Sequence, residues 1–392
     1  MTLHRLDLFC RVVDNYGDIG ICWRLARQLQ REHGLAVRLW VDDLASFRRI
    51  CPQVDIAAEI QHIDAVTVRH WRDQDGVYSA ADVADIVIEF FACDLPPGYI
   101  AAMAECPTRP VWFNLEGLTA EEWVEGCHRL TSPHPRLPLT KHFFFPGFTG
   151  KTGGLLREAA LEQQRLQFQS DPAAMTAFLA GLGVASPAPA PTPAAKVATR
   201  VSLFCYPHAP VAALFDEWRT GAEPIVCLVP EGVAAEAVQN FIGGPAVAGA
   251  GASATHGALT LHVLPFVPQP DYDKLLWACD LNFVRGEDSF VRAQWAGKPF
   301  VWHIYPQDDN LHHKKLRAFL GRYADGLPAL EQFSLAWNDV QVAGGLGGWP
   351  ARWRAFRDEM PQMASRAGQW RQQMLGNGDL AANLMACAAT LR

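Results

Sequence analysis

The sequence predicts an α/β protein of two Rossmann-like domains facing each other across a cleft. Three observations carry that expectation. Short continuous apolar runs alternate with amphipathic stretches over residues 6–115. A Pro/Ala-rich segment, Ser186–Ala195 (SPAPAPTPAA), interrupts them, and the same rhythm restarts from Arg200. Apolar runs that lack a polar alternate face belong to parallel strands covered by helices on both sides. A length of 392 residues suits about two such domains.

Leu6–Val13 reads as the first strand. Ile19, Trp23, Ala26 and Leu29 then recur at helical spacing, and Gly34 is the expected stop. Ala36–Val41, Asp85–Phe91 (DIVIEFF) and Pro110–Leu115 (PVWFNL) are further strands, with a helix over Pro97–Glu105 between the last two. These elements assign residues 1–165 to an N-terminal Rossmann-like domain. Alternating Pro and Ala cannot form a helix or a central strand, so residues 166–198 are expected to be an extended linker.

A C-terminal Rossmann-like domain is assigned to residues 199–377. Its strands are Arg200–Tyr206, Pro224–Val229, Leu259–Leu264, Leu281–Val284 and Pro299–Ile304, and its helices Val211–Trp218, Tyr272–Ala278 and Phe290–Ala296. Gly243–Ala254 is Gly- and Ala-rich and reads as a loop. A helical tail runs from Trp349 to Arg392, with Trp353, Phe356, Met360 and Met363 facing a core. Its last part, residues 378–392, is expected to pack back on the first domain.

Composition narrows the function. With 49% hydrophobic and 19% charged residues the chain is too apolar for disorder, and a net charge of −7 argues against binding a nucleic-acid backbone. No apolar run reaches the roughly 20 residues of a membrane span. The N-terminal apolar run carries charges and no cleavage site, so it does not read as a signal peptide and a cytoplasmic location is expected. The 10 cysteines include no CxxC pair, which favours buried free thiols over disulfides. The 13 histidines form no HExxH motif, and no metal site is expected.

Three segments at strand-to-helix junctions could carry chemistry. In Asp14–Gly20 (DNYGDIG) the glycines let backbone approach a ligand, the helix amides beyond suit an anion, and Asp14 and Asp18 put two carboxylates on one turn. Helix capping by Asp18 and turn formation by Asp14 and Asn15 explain the same residues. In Arg285–Phe290 (RGEDSF), Ser289 and the helix amides could hold a diphosphate, Glu287 could accept sugar hydroxyls, and Arg285 could offset phosphate charge; a plain capping cluster is the alternative. In Phe266–Tyr272 (FVPQPDY) aromatics flank Gln269, whose amide could pair with a pyrimidine edge, and Phe204 and Tyr206 end the domain's first strand. Core packing serves equally for those rings. Thr149–Gly154 (TGKTGG) ends like a phosphate-binding loop, but Phe145 stands where that pattern needs glycine, so a mobile Gly-rich loop is expected.

The stretches DNYGDIGICWRLARQL, NLEGL, FFFPGFTGKTGGLLRE and RGEDSFVRAQWAGKPFVWHIYPQ, in this order, resemble the bacterial protein-arginine rhamnosyltransferases known as EarP. The resemblance spans both domains and implies that residues 1–165 bind the acceptor and residues 199–377 the nucleotide-sugar donor. It implies a GT-B fold and an inverting transfer of L-rhamnose from dTDP-β-L-rhamnose to an arginine of elongation factor P, in that factor's N-terminal domain. The modified factor would then rescue ribosomes stalled at polyproline. Asp18 falls on the family's catalytic aspartate, and Asp14 and Glu287 on further functional acids. The donor would lie on Asn15, Tyr16, Gly17, Arg285, Gly286, Glu287, Asp288 and Ser289, with thymine on Gln269, Phe266, Tyr272, Phe204 and Tyr206. No cofactor is implied beyond dTDP-rhamnose, and no metal. Another acceptor, a non-catalytic nucleotide-sugar-binding module, and a kinase built on Gly150-Lys151-Thr152 remain as alternatives to the residues alone.

Overall fold

The structure, a computed structural model, describes residues 3–14, 16–72, 76–184, 197–340 and 348–391. Contacts divide the chain into one unit of residues 1–159 and 373–392 and a second of residues 160–372.

The first unit contains β1 (Arg5–Cys10), β2 (Ala36–Val41), β3 (Ile60–Ile63), β4 (Val66–His70), β5 (Ile86–Phe90), β6 (Val111–Leu115), β7 (Thr131–Pro133) and β8 (Thr140–Phe144). They form one sheet in the order β3-β4-β2-β1-β5-β6-β8-β7. The inner strands are parallel, and β3 and β7 close the two edges antiparallel. Its first helices are α1 (Gly17–His33), α2 (Leu44–Ile50), α3 (Pro97–Glu105) and α4 (Val124–Cys127). Leu6, Leu8 and Cys10 of β1 pack with Ile19, Cys22 and Leu29 of α1 on one face. Phe9 packs with Tyr99 and Met103 of α3 on the other. Both faces being buried is why the strands read as unbroken apolar runs.

The strand expected over Leu6–Val13 stops at Cys10. Beyond it the amides are taken by carboxylates instead of a neighbouring strand: Val12 N–H donates to Asp42 Oδ1 at 2.9 Å and Val13 N–H to Asp18 Oδ2 at 2.7 Å. The one buried charged residue of β1, Asp7, accepts two hydrogen bonds from Arg38 at 2.5 Å and one from Trp40 Nε1 at 3.2 Å.

Residues read as the start of the linker are helical instead. α5 (Leu161–Gln169) and α6 (Pro172–Gly181) belong to the second unit. Asp171 caps α6 through the amides of Ala173 and Ala174, and Phe168, Phe178 and Leu179 pack against Leu228, Leu264 and Leu275. The whole Pro/Ala segment, within residues 185–196, lies outside the described residues.

The second unit's strands are β9 (Thr199–Leu203), β10 (Ile225–Pro230), β11 (Ser253–His256), β12 (Leu259–Leu264), β13 (Leu281–Arg285) and β14 (Phe300–His303), ordered β11-β12-β10-β9-β13-β14. All pairs are parallel except β11 with β12. β11 begins inside the expected Gly243–Ala254 loop, where Ser253 to His256 pair with the edge of β12. The helices are α7 (Val211–Thr220), α8 (Ala235–Ile242), α9 (Gln269–Ala278), α10 (Asp288–Ala296), α11 (Leu311–Tyr323), α12 (Pro328–Trp337) and α13 (Trp349–Leu375). Along α13, Trp353, Phe356 and Met363 are buried and Met360 is half-buried.

The tail is two helices rather than one. It breaks at Gly376–Asp379, where Asp379 accepts Ala382 N–H at 3.0 Å and starts α14 (Leu380–Thr390). Leu380, Ala381, Leu384, Cys387 and Ala388 of α14 join the core of the first unit.

Leaving out the antiparallel edges, the strands of the first unit run 3-2-1-4-5-6 and those of the second 3-2-1-4-5, the doubly wound order. Each sheet therefore has a switch point where the order reverses, between β1 and β5 in one and between β9 and β13 in the other. Ligands of such sheets bind outside the carboxyl ends of the strands at that point.

Candidate active site

At the first switch point the chain leaves β1 and enters α1. Asp18, in the first turn of α1, is nearly fully buried. Its Oδ2 accepts the amides of Val13 at 2.7 Å and Asp14 at 2.9 Å. The capping account of Asp18 therefore fails: the carboxylate reaches back to the incoming chain, and Tyr16 occupies the cap position without a side-chain bond. Burial raises the Asp18 pKa, the two amides oppose the rise, and the nearby charge of Asp42 adds to it. A carboxyl so placed is a stronger base than an exposed aspartate.

Asp14 is half-buried, and its carbonyl accepts Gly17 N–H at 2.6 Å. A Cβ on Gly17 would stand 2.9 Å from Asp14 Oδ2, so glycine is what lets that carboxylate lie against the helix entry. Asn15 lies outside the described residues.

The other side of this switch point holds a feature the sequence reading missed. After β5, Phe91, Ala92 and Asp94 all adopt left-handed backbone, with φ of 51°, 49° and 56°. Each such non-glycine residue costs about 1–2 kcal/mol. Ala92 N–H donates to Asn114 Oδ1 at 3.0 Å and Asp94 N–H to Glu89 Oε1 at 3.3 Å, while Glu89 pairs with Lys141 at 2.7 Å. The strain is thus held by buried polar side chains of β5 and β6. Glu89, a charge inside the apolar run DIVIEFF, was the available signal.

At the second switch point β13 ends in Arg285, and α10 starts three residues later. Gly286 has a φ of 59°; its amide donates to His303 O at 3.2 Å and its carbonyl accepts Trp302 Nε1–H at 2.6 Å. Ser289 Oγ accepts Arg285 N–H at 3.0 Å and donates back to Arg285 O, so this hydroxyl closes the turn. Glu287 holds the cap position without a side-chain capping bond, which removes the capping account of that acid. The Arg285 guanidinium donates to Cys205 O at 3.1 Å and lies 4.3 Å over the Phe204 ring and 4.9 Å over the Tyr206 ring.

Gln269 begins α9, is buried, and its Nε2 lies 3.4 Å from Asp288 Oδ2. Tyr272, one turn later, meets Phe204 edge-on at 5.9 Å, and burial pushes its phenol pKa up. Phe266 is exposed. The fold therefore assembles Phe204, Tyr206, Gln269, Tyr272, Arg285, Gly286, Asp288 and Ser289 beyond the carboxyl ends of β9 and β13. It leaves Asp14 and Asp18 in the other unit.

The phosphate-loop lookalike has a structural role. Thr152 is buried and donates to Thr149 O at 2.8 Å, Gly153 N–H donates to Phe145 O at 2.7 Å, and Asn383 Nδ2 donates to Gly153 O at 3.0 Å. The expected mobile loop is pinned on both sides. All ten cysteines are free thiols and nine of them are buried. Among the described residues no three His, Cys, Asp or Glu side chains are grouped to hold a metal ion, and no helix is long and apolar enough to cross a membrane.

Known proteins resemble the whole chain. The family model described as "Elongation-Factor P (EF-P) rhamnosyltransferase EarP" matches residues 6–389. A protein-arginine rhamnosyltransferase of Pseudomonas putida is 48% identical over 386 residues, and one of Pseudomonas aeruginosa 46% identical over 385, each alignment covering 97% of both chains. A solved structure, presented as "Structural basis for EarP-mediated arginine glycosylation of translation elongation factor EF-P", aligns at a TM-score of 0.66 with 36% identity over 97% of each chain. The doubly wound units, the two strand-edge clusters and these matches make the chain a glycosyltransferase of GT-B fold that belongs to the EarP family of elongation-factor P rhamnosyltransferases.

Proposed function

We propose that this enzyme moves L-rhamnose from dTDP-β-L-rhamnose to one arginine of the first domain of elongation factor P, with inversion at the anomeric carbon, without a metal ion, and in the cytoplasm. The observation that carries the reading is Asp18, a buried carboxylate with a raised pKa at the switch point of the first unit.

An arginine side chain is protonated throughout the working range, with a pKa above ~12, so its nitrogen lone pairs are delocalised and weakly nucleophilic. Asp18 would accept a guanidinium N–H, orient that nitrogen, and take its proton as the bond from nitrogen to the anomeric carbon forms. Asp14 would offer a second acceptor to the guanidinium fork. As the bond from the anomeric carbon to the phosphate oxygen breaks on the opposite face, its electron pair leaves with dTDP. Arg285 and the positive end of the α10 dipole would stabilise that charge in the second unit. Gln269 with Phe204, Tyr206, Phe266 and Tyr272 would take the thymine, Asp288 and Ser289 the remainder of the nucleotide, and Glu287 the sugar hydroxyls. The cation and helix amides support the metal-free reading, since they supply the positive charge a metal would otherwise bring.

The test is the intact mass of elongation factor P after incubation with this protein and dTDP-rhamnose. One added deoxyhexose, mapped to an arginine and formed equally well with EDTA present, is the expected result. An unchanged mass would mean a binding module or a different acceptor, and loss of turnover in EDTA with recovery in Mg²⁺ would remove the metal-free mechanism.

A further inference from the structure

The turn after β9 carries a hydrogen-bond chain that the mechanism above leaves unused. Tyr206 N–H donates to His303 Nδ1 at 3.1 Å. A ring nitrogen that accepts carries no proton, so neutral His303 has its proton on Nε2. Burial, helped by His208 and Arg285, pushes the His303 pKa down to about 3, so the ring stays neutral. His303 Nε2 lies 2.9 Å from His208 Nε2. One of the two must donate, and His303 is the one with the proton there. His208 Nε2 is therefore the acceptor, and the proton of neutral His208 resides on Nδ1.

The two ends of this chain differ. His303 is wholly buried at the end of β14, whereas His208 is exposed. The His208 ring runs parallel to that of Tyr206, 5° apart at 6.2 Å, and Tyr206 lies beneath the Arg285 guanidinium. A backbone amide in the core thus dictates which nitrogen of a surface imidazole carries hydrogen, beside the cation and rings of the second switch point. The exposed His208 ring can therefore offer a ligand one N–H donor of defined position. Next to Arg285 the group it suits is anionic, because a neutral N–H adds a donor without a second positive charge facing the first.

We infer that His208 is a further donor-binding residue, its Nδ1–H bonding a terminal phosphate oxygen of the nucleoside diphosphate, and that His303 is the positioning residue that sets its tautomer. The inference rests on the assignment of the donor to the second unit.

Calorimetric titration of the full chain with dTDP and with thymidine separates the possibilities. His208→Ala should weaken dTDP binding by about tenfold, the value of roughly one hydrogen bond to a charged group, and leave thymidine binding unchanged. His208→Asn, which keeps an N–H donor, should recover part of the loss. Long-range ¹⁵N–¹H spectra should show His303 protonated at Nε2 and His208 at Nδ1. Equal dTDP affinity in wild type and His208→Ala, equal loss of dTDP and thymidine, or a His303 protonated at Nδ1 would each overturn the inference. A wild-type protein that binds neither ligand would overturn the donor assignment itself, a different and recognisable failure.

Discussion

Arg292 and Asp273 form a two-pronged ion pair inside the second unit, Nε to Oδ1 at 2.8 Å and Nη2 to Oδ2 at 2.7 Å, with side chains only 2% and 6% exposed. Each lies one helical turn beyond a candidate donor residue: Asp273 follows Gln269 on α9, and Arg292 follows Asp288 on α10. The pair therefore holds the two helix starts together, with Gln269 Nε2 3.4 Å from Asp288 Oδ2.

Removing one partner should be worse than removing both. Asp273→Ala takes the carboxylate from a buried guanidinium, an expected loss of about 3–5 kcal/mol. The apolar double variant Asp273→Leu with Arg292→Met should fall well short of the summed single losses in urea unfolding. If the pair also positions Gln269, the double variant will bind dTDP more weakly even where its stability is restored. Additive losses would mean the two side chains are not coupled.

Asp18→Asn should trade activity for stability. The amide cannot take a proton, so turnover should fall by about 10²–10⁴-fold. Its oxygen can still accept the Val13 and Asp14 amides. The wild-type carboxyl has a native pKa raised above 3.8, so its favourable contribution is complete below that value and is lost as pH rises through the native one. The variant should therefore melt higher than wild type at neutral pH, with the gap closing on acidification. A variant less stable at pH 7, or one of full activity, would contradict the assigned role.

Much of this architecture is legible in the residues, for identifiable reasons. Val37, Leu39 and Val41 of β2 and Ile86 and Ile88 of β5 are buried, as continuous apolar runs require, and the motifs at Asp14–Gly20 and Arg285–Phe290 do follow central strands. What escapes detection is set by distant partners. β1 ends early because Asp42, at the end of another strand, takes the Val12 amide. α6 is Ala-rich, and its packing depends on Leu228 and Leu275, far along the chain. The left-handed run at Phe91–Asp94 contains no glycine to announce it, and is held by Asn114 from β6. His208 has meaning only through His303, 95 residues away.

His303 also makes a prediction about acid. Its pKa falls from 6.5 to about 3 on folding, so between those values the unfolded chain binds a proton that the native chain refuses. Stability must then decrease as pH drops through that window, by up to roughly 1.4 kcal/mol per pH unit for this site. His128, whose Nδ1 accepts Phe145 N–H at 3.1 Å and whose pKa is pushed down to about 4, works in the same direction. His303→Asn should flatten the pH dependence of the melting temperature between pH 6 and 4, even if it lowers stability at pH 7. An unchanged slope would show that the ring is protonated in the native state.

Gly286 offers a sharper separation of folding from binding. Its φ of 59° is disfavoured for any residue with a Cβ, at a cost of about 1–2 kcal/mol, and the turn cannot relax freely. His303 O fixes the amide on one side and Trp302 Nε1 the carbonyl on the other. Gly286→Ala should therefore lower the melting temperature modestly. Whatever movement the alanine forces passes to Arg285 before it and Glu287 after it, both in the candidate donor site. The expected signature is a raised KM for the sugar nucleotide with a smaller change in kcat, and an unchanged KM for the acceptor protein. Should KM for the donor stay at its wild-type value while the melting temperature falls, the turn has a folding role alone and the nucleotide is bound elsewhere.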